Sequence, residues 1–109
     1  MIIAKRMLQV RENGRDTPVP VSIELPRSER GAWWCNFEIG WPEGVYQGHA
    51  GGFDAVQALV SAMQHVAILL YSSEYHRNRT LVFDEPGEGY GFPLPAGGRD
   101  LAIGLDAKL

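Results

Sequence analysis

Apolar and polar residues alternate on both sides of the Asn13-Gly14 pair, near the start of the chain. Asn-Gly favours a two-residue type I′ turn, because both central positions of that turn need positive φ. The pattern therefore predicts a β-hairpin. A two-residue turn would fix these facing pairs: Leu8 with Val19, Ala4 with Ile23, Ile2 with Leu25, and Arg11 with Asp16.

The hairpin register also predicts which side chains face the core. The inner face would consist of Ile2, Ala4, Leu8 and Val10 on the first strand and Val19, Val21, Ile23 and Leu25 on the second. The register also places Arg6 on this face, where it would be the one charged residue among apolar ones. Pro18 and Pro20 lack N–H groups on the side that points away from the first strand, so we expect that half of the second strand to be an edge.

Further strands are predicted after the polar link from Pro26 to Gly31. The clearest strand has an inner face and an outer face: Trp33, Cys35, Phe37 and Ile39 alternate with Trp34, Asn36 and Glu38. A turn at residues 41–44 leads into a shorter, glycine-rich strand from Val45 to Ala50. A fifth strand is predicted from Thr80 to Phe83.

A helix is predicted to begin after Gly51-Gly52, with Asp54 as its N-cap. Gln57 lies at the spacing of a capping box. Apolar residues then recur at helical spacing, and we expect this face to pack against the sheet: Val56, Leu59, Val60, Met63, Val66, Ala67 and Leu70. The opposite face carries Gln57, Ser61, Gln64 and His65.

Together these elements predict an α+β fold, with an antiparallel sheet of four or five strands and one long helix packed on one face. The 109 residues fit a single domain, 1–109, around one core. From about residue 84 the chain is rich in Gly and Pro and has no regular periodicity. We expect part of this tail to pack over the domain, because it carries these apolar residues: Tyr90, Phe92, Leu94, Leu101, Ile103 and Leu105.

The composition is that of a globular protein with a small acidic charge, since 45% of residues are hydrophobic and the formal net charge is −3. A protein that neutralises phosphates needs a positive surface, so nucleic acid is not an expected partner. The most apolar stretch, Val66 to Leu70, is too short to cross a bilayer. Lys5 and Arg6 interrupt the start of the chain, where a secretory signal would be apolar. We therefore expect a cytoplasmic protein that does not bind membranes.

The residues that carry chemistry form no recognisable site. His49, His65 and His76 lack the spacing of a metal site, and His76 is expected at a solvated helix end. Cys35 is the only cysteine, and its alternation with apolar residues indicates a buried thiol. The glycines at 87–91 resemble a phosphate cradle only in number, since no helix start follows them. No catalytic residue, cofactor or metal is predicted, and the sequence leans away from an enzyme.

Two residues are candidate contacts with a partner or ligand. Arg6 lies among apolar neighbours in the predicted register, where an unpaired guanidinium is costly, so it needs a partner, a ligand or water at the rim of the sheet. Trp34 points to the face opposite Trp33, which belongs to the core. The Trp34 ring should therefore meet solvent, the C-terminal tail or another chain.

Three segments of the chain resemble a family of small bacterial proteins catalogued as domain of unknown function 6968. They are Met1-Ile2-Ile3-Ala4-Lys5-Arg6-Met7-Leu8-Gln9-Val10, Phe53-Asp54-Ala55-Val56-Gln57-Ala58-Leu59 and Gly89-Tyr90-Gly91-Phe92-Pro93. The likeness spans most of the chain. It implies a bacterial origin, but the family supplies no activity or functional residues.

Three functions stay open at this point. The leading hypothesis is a non-enzymatic binding or accessory protein, because the edge strand and exposed aromatic residues suit protein contact. An immunity-type partner of a bacterial toxin is one specific form of it. The alternative is a small-molecule-binding protein or minor enzyme, in which Arg6, a histidine or Tyr75 fixes an anion in a pocket between helix and sheet. The third possibility is a homodimer joined at edges or aromatic faces.

Overall fold

The computed structural model describes residues 1–109 and confirms the α+β prediction, with one long helix packed on an antiparallel six-stranded sheet. The strands are β1 (Ile2–Glu12), β2 (Arg15–Glu24), β3 (Arg27–Glu29), β4 (Ala32–Trp41), β5 (Gly44–Gly52) and β6 (Leu81–Val82). The helices are α1 (Ala55–Tyr71) and the single turn α2 (Glu74–Arg77), followed by the 3₁₀ segments Ala96–Leu101 and Gly104–Lys108. Neither α-helix combines the length and apolar character that a bilayer crossing requires.

β4 lies inside the sheet, between β5 on one edge and both β3 and β2 on the other. β1 and β6 follow beyond β2. The ladder between β2 and β4 covers only Val21–Ile23, so the half of β2 that contains Pro18 and Pro20 has no partner on that side, as expected. The polar link from Pro26 to Gly31 contains β3, which the sequence did not predict because Arg27–Glu29 has no apolar alternation.

The predicted hairpin register is confirmed for Leu8 with Val19, Ala4 with Ile23, and Arg11 with Asp16. The predicted pair of Ile2 and Leu25 is wrong: the register shifts between Ile2 and Ala4, and Ile2 lies opposite Glu24. Ile2, Ala4 and Leu25 are exposed and not part of the inner face. The reason is that α1 packs on β4 and β5, at a distance from this end of the hairpin.

The start of α1 is capped as the sequence predicts. One Asp54 carboxylate oxygen accepts the Gln57 N–H at 2.8 Å, and the Gln57 side-chain oxygen accepts the Phe53 N–H. The first bond satisfies a backbone donor that the first helical turn would otherwise leave free, and the second ties the helix to the residue before its N-cap.

We expect Asp54→Ala to lower the free energy of unfolding by about 0.5–2 kcal/mol, the usual effect of losing an N-cap. Urea denaturation checks this value. Asp100→Ala is the matched control, because Asp100 is an exposed aspartate that caps no helix. An Asp54→Ala protein as stable as the control would remove the carboxylate from its capping role.

The buried face of α1 matches the prediction at Val66, Ala67 and Leu70 and differs from it in the first half of the helix. Val56 and Val60 are 70% and 39% exposed, whereas Ala58 and Ala62 are completely buried. The cause is a close approach at the end of β5: a Cβ atom added to Gly52 would lie 2.5 Å from the backbone nitrogen of Ala58. The first turns of the helix have room only for small side chains where they touch Gly52, so the prediction that Val56 and Val60 face the sheet is wrong.

The C-terminal tail closes the core beside α1. Tyr90, Phe92 and Leu94 are buried and belong to the main hydrophobic cluster, as expected for part of the tail. Leu101 and Leu105 are exposed. The sheet is therefore covered on one face by two neighbouring layers, the helix and the tail.

Candidate functional site

The free edge of β5 is the candidate functional site. The β5 backbone pairs with β4 alone, and no hydrogen bond outside that ladder involves the backbone of residues 44–52. β4 and β5 are joined by a two-residue turn, and the residues that flank it, Trp41 and Gly44, form a hydrogen-bonded pair. Along the ladder, hydrogen-bonded pairs then alternate with pairs that are not hydrogen-bonded to each other. The backbone N–H and C=O groups that point away from β4 are therefore those of Val45, Gln47, His49 and Gly51.

This edge lacks the features that normally prevent strand pairing. Proteins protect edge strands with Lys, Pro or bulges, or by keeping the strand very short. β5 is nine residues long and contains no proline and no Asp, Glu, Lys or Arg. Its exposed apolar side chains include Val45 and Tyr46. β6, at the other end of the strand order, has only two residues. The β5 edge is thus open for a further strand.

Trp34 extends this edge onto the outer face of the sheet. Its ring lies edge-on to His49, with ring centroids 5.4 Å apart, and covers Gly51. Together with Arg27 and Arg30, it lines a shallow groove of about 330 Å³. The groove is built from β3, β4, β5 and the β3–β4 turn, and no residue of the C-terminal tail lines it. Trp34 is therefore half-buried by its own sheet, and the tail leaves it open.

Arg6 lies on the opposite face, under the C-terminal tail. Its guanidinium donates hydrogen bonds to the backbone oxygens of Tyr90 at 3.2 Å and Gly91 at 2.8 Å. The same group lies over the rings of Phe83 and Phe92, 4.8 and 4.9 Å from their centres. These carbonyls and aromatic rings satisfy the charge that the sequence pattern left among apolar neighbours.

A buried carboxylate holds the tail in place. Asp106 is 2% exposed, and its oxygens accept the Tyr71 O–H at 2.6 Å and the backbone N–H groups of Tyr90 and Gly91 at 2.7 Å each. Gly89 leaves room for this group, since an added Cβ would lie 2.4 Å from the Asp106 carboxyl carbon. The glycine run therefore does form an anion cradle, and the anion is an aspartate of the same chain.

His76 joins this polar cluster and is not the solvated residue that the sequence suggested. Its Nδ1 atom forms a hydrogen bond with the Tyr90 hydroxyl, and its ring lies edge-on to Tyr71. Burial lowers the pKa of His76, which favours the neutral imidazole. Burial also raises the pKa of the Tyr71 and Tyr90 hydroxyls, so both remain protonated. The cluster links α1, α2 and the tail.

Sequence reasoning missed Asp106 because its partners are far away along the chain. Tyr71 is 35 residues before it, and the periodicity of the tail gives no sign of a buried carboxylate. The available signal was the glycine run at 87–91, whose backbone N–H groups can bind an anion.

Other residues that the sequence singled out lie apart from β5's free edge. Cys35 is completely buried, and burial raises the pKa of its thiol. Tyr75 stacks on Trp41 and donates to Glu43 at 2.7 Å, a bond that raises the pKa of Tyr75 to about 12. No three His, Cys, Asp or Glu side chains are close enough together to hold a metal ion.

Comparison with known proteins defines the class of this chain. The family model of a domain of unknown function, DUF6968, matches residues 4–94, which is most of the chain. The chain therefore belongs to the DUF6968 family. No curated protein and no solved structure matches it. The matched range includes β5, α1 and the glycine run, and it ends before Asp106.

Proposed function

We propose that this protein is a small binding protein that works by strand pairing at the free edge of β5, and that the strand it pairs with is β5 of a second copy. The observation that carries the proposal is the long, uncharged β5 edge, whose outward backbone groups have no partner in the chain. Antiparallel pairing would satisfy these groups and would continue the sheet across two copies.

The β5 sequence is self-complementary when two copies pair antiparallel around Gly48. Large residues then lie opposite small ones, because Val45 meets Gly51 and Tyr46 meets Ala50 of the partner subunit. Two strands with the same sequence and no charged side chains also do not repel each other at the junction. The register thus avoids both steric and electrostatic conflict.

This register also gives the polar side chains of the outer face a partner. Gln47 lies opposite His49 of the partner subunit, on the same face of the sheet. The Gln47 side-chain nitrogen donates to Glu38 at 3.0 Å within the chain, and the Gln47 side-chain oxygen can accept a hydrogen bond from that His49. Within the chain, Trp34 packs edge-on against the His49 ring and orients it. Trp34 therefore acts in the proposed contact as the residue that positions His49.

Gln47→Pro tests the proposal, because it removes an outward N–H group without removing a backbone hydrogen bond to β4; the side-chain bond from Gln47 to Glu38 is lost in this variant and in its control alike. Gln47→Ala is the matched control: it loses the same amide side chain but keeps the N–H. We expect the wild-type protein and Gln47→Ala to form dimers in sedimentation velocity experiments over a range of protein concentrations. Gln47→Pro should remain folded by circular dichroism and sediment as a monomer.

Two results would overturn self-pairing at β5. One is a wild-type protein that stays monomeric at every concentration. The other is a folded Gln47→Pro variant that dimerises as strongly as Gln47→Ala, since the dimer would then use another surface.

A further inference from the structure

A second surface of the molecule, remote from β5, has the properties of a small-molecule site. It is a groove of about 740 Å³ between the end of α2, β6 and the C-terminal tail. Leu81, Val82 and Ile103 form its apolar part, and Arg77 and Arg79 lie on its rim. A groove of this size is within the usual range for small ligands, and apolar walls with a few polar groups are typical of such sites.

The charged groups that line the groove are all basic. Asp84, Glu85 and Glu88 line the adjoining cleft, which shares Pro86 with the groove, and no Asp or Glu lines the groove itself. Arg77 donates one hydrogen bond to the Ser72 carbonyl oxygen and forms no ion pair. In a chain with a net charge of −3, this is a local positive rim above an apolar surface.

Arg79 has the strongest indication of a role. Its guanidinium has no hydrogen bond or ion pair within the chain, and it stays exposed beside the groove. Its backbone has φ of 59°, in the left-handed region that disfavours residues other than Gly and Asn. Arg79 takes this conformation where it follows Asn78, the C-cap of α2, and its N–H donates to the His76 carbonyl oxygen at 3.0 Å.

One wall of the groove can also provide a fixed hydrogen-bonding group. The His76 Nδ1 atom is occupied by the Tyr90 hydroxyl, and both residues line the groove. If the hydroxyl donates to Nδ1, the Nε2 atom carries the imidazole proton and is a donor. The groove thus combines an apolar surface, two guanidinium groups and the His76 imidazole.

We propose that this groove binds a small organic carboxylate with an apolar body, the carboxylate lying against Arg79 and Arg77 and the apolar body covering Leu81, Val82 and Ile103. Arginine suits this ligand, because its planar guanidinium can donate two parallel hydrogen bonds to one carboxylate. The site is independent of the β5 edge, so either proposal can fail without the other.

The probe is 1-naphthoate, a rigid carboxylate that is ionised at pH 7, and naphthalene-1-carboxamide is its neutral counterpart. We expect isothermal titration calorimetry to show saturable binding of 1-naphthoate and about tenfold weaker binding of the carboxamide, since hydrogen bonds between charged groups are stronger than neutral ones. Arg79→Gln should weaken binding of the carboxylate about tenfold and leave binding of the carboxamide nearly unchanged.

Arg30→Gln is the matched control for the variant. Arg30 is also an exposed arginine with positive φ, 53°, but it lies in the β3–β4 turn and not in this groove. The Arg30→Gln protein should bind 1-naphthoate as tightly as the wild-type protein does. Equal binding of both probes would overturn the preference for an anion. A loss of 1-naphthoate affinity in Arg30→Gln equal to that in Arg79→Gln would overturn the location. Absence of saturable binding would overturn the site itself.

Discussion

Asp106→Ala is expected to lower the free energy of unfolding by about 3 kcal/mol or more, because each buried donor left without an acceptor costs about 1–3 kcal/mol. Two of the donors, the Tyr71 hydroxyl and the Tyr90 N–H, are buried, and the third, the Gly91 N–H, is half-buried. Urea denaturation measures the loss. Limited proteolysis should also cut the tail of the variant faster than that of the wild-type protein, since the tail loses its buried anchor.

Asp100→Ala separates this effect from a general sensitivity of the tail to substitution. Asp100 is exposed in the same tail, so its loss should change stability by less than about 0.5 kcal/mol. An Asp106→Ala protein with the stability and protease resistance of the Asp100→Ala control would contradict the anchoring role of the carboxylate.

Phe37→Ala is expected to lower the free energy of unfolding by about 3–5 kcal/mol, the usual cost of truncating a buried aromatic residue. Phe37 is 1% exposed, and the rings of Tyr46 and His65 pack against it. Gly48 of β5 lies directly against the ring, since an added Cβ would be 2.4 Å from it. The truncation therefore opens a cavity that β4, β5 and α1 share.

Trp34→Ala is the comparison on the other face of β4. Trp34 is larger than Phe37 but only half-buried, so its truncation should destabilise the monomer far less and should mainly weaken association. Chemical denaturation of dilute protein compares the two variants. Equal losses of stability would mean that Trp34 belongs to the core, which would remove it from the proposed contact.

The parts of the fold that the sequence predicted correctly are those decided by neighbouring residues. Asn13-Gly14 specifies its turn and the turn fixes the register of the hairpin, while Asp54 and Gln57 cap α1 three residues apart. In each case the structure is determined by residues that are no more than a few positions apart in the sequence. The alternation predicted in β4 is a local property too, because successive side chains of a strand point to opposite faces of the sheet.

The parts that the sequence did not predict depend on contacts between distant segments. The buried face of α1 includes Ala58 because Gly52 brings the helix close to β5, and helical periodicity alone favoured the larger Val56. The exposure of Ile2 follows from where α1 lies on the sheet. Asp106 is buried because a glycine run more than a dozen residues away supplies N–H groups, a pairing that no local pattern encodes.

The candidate site was only partly visible in the sequence. Alternation placed Trp34 on the outer face of β4, and the glycine-rich strand from Val45 to Ala50 was recognised. Which edge of the sheet stays free depends on the strand order, and the order follows from pairing between β2, β3 and β4 across the whole fold. A single sequence without that order does not distinguish an outer strand from a central one.

Hydrogen exchange at individual β5 amides, followed by NMR at low and high protein concentration, tests strand pairing most directly. Pairing predicts that the outward amides of Gln47 and His49 become protected as the concentration rises, because they then donate to the partner strand. The amide of Gly48, which points toward β4, should exchange slowly throughout. Fast exchange at Gln47 and His49 at every concentration, with Gly48 still protected, would contradict the proposal that β5 binds a second strand.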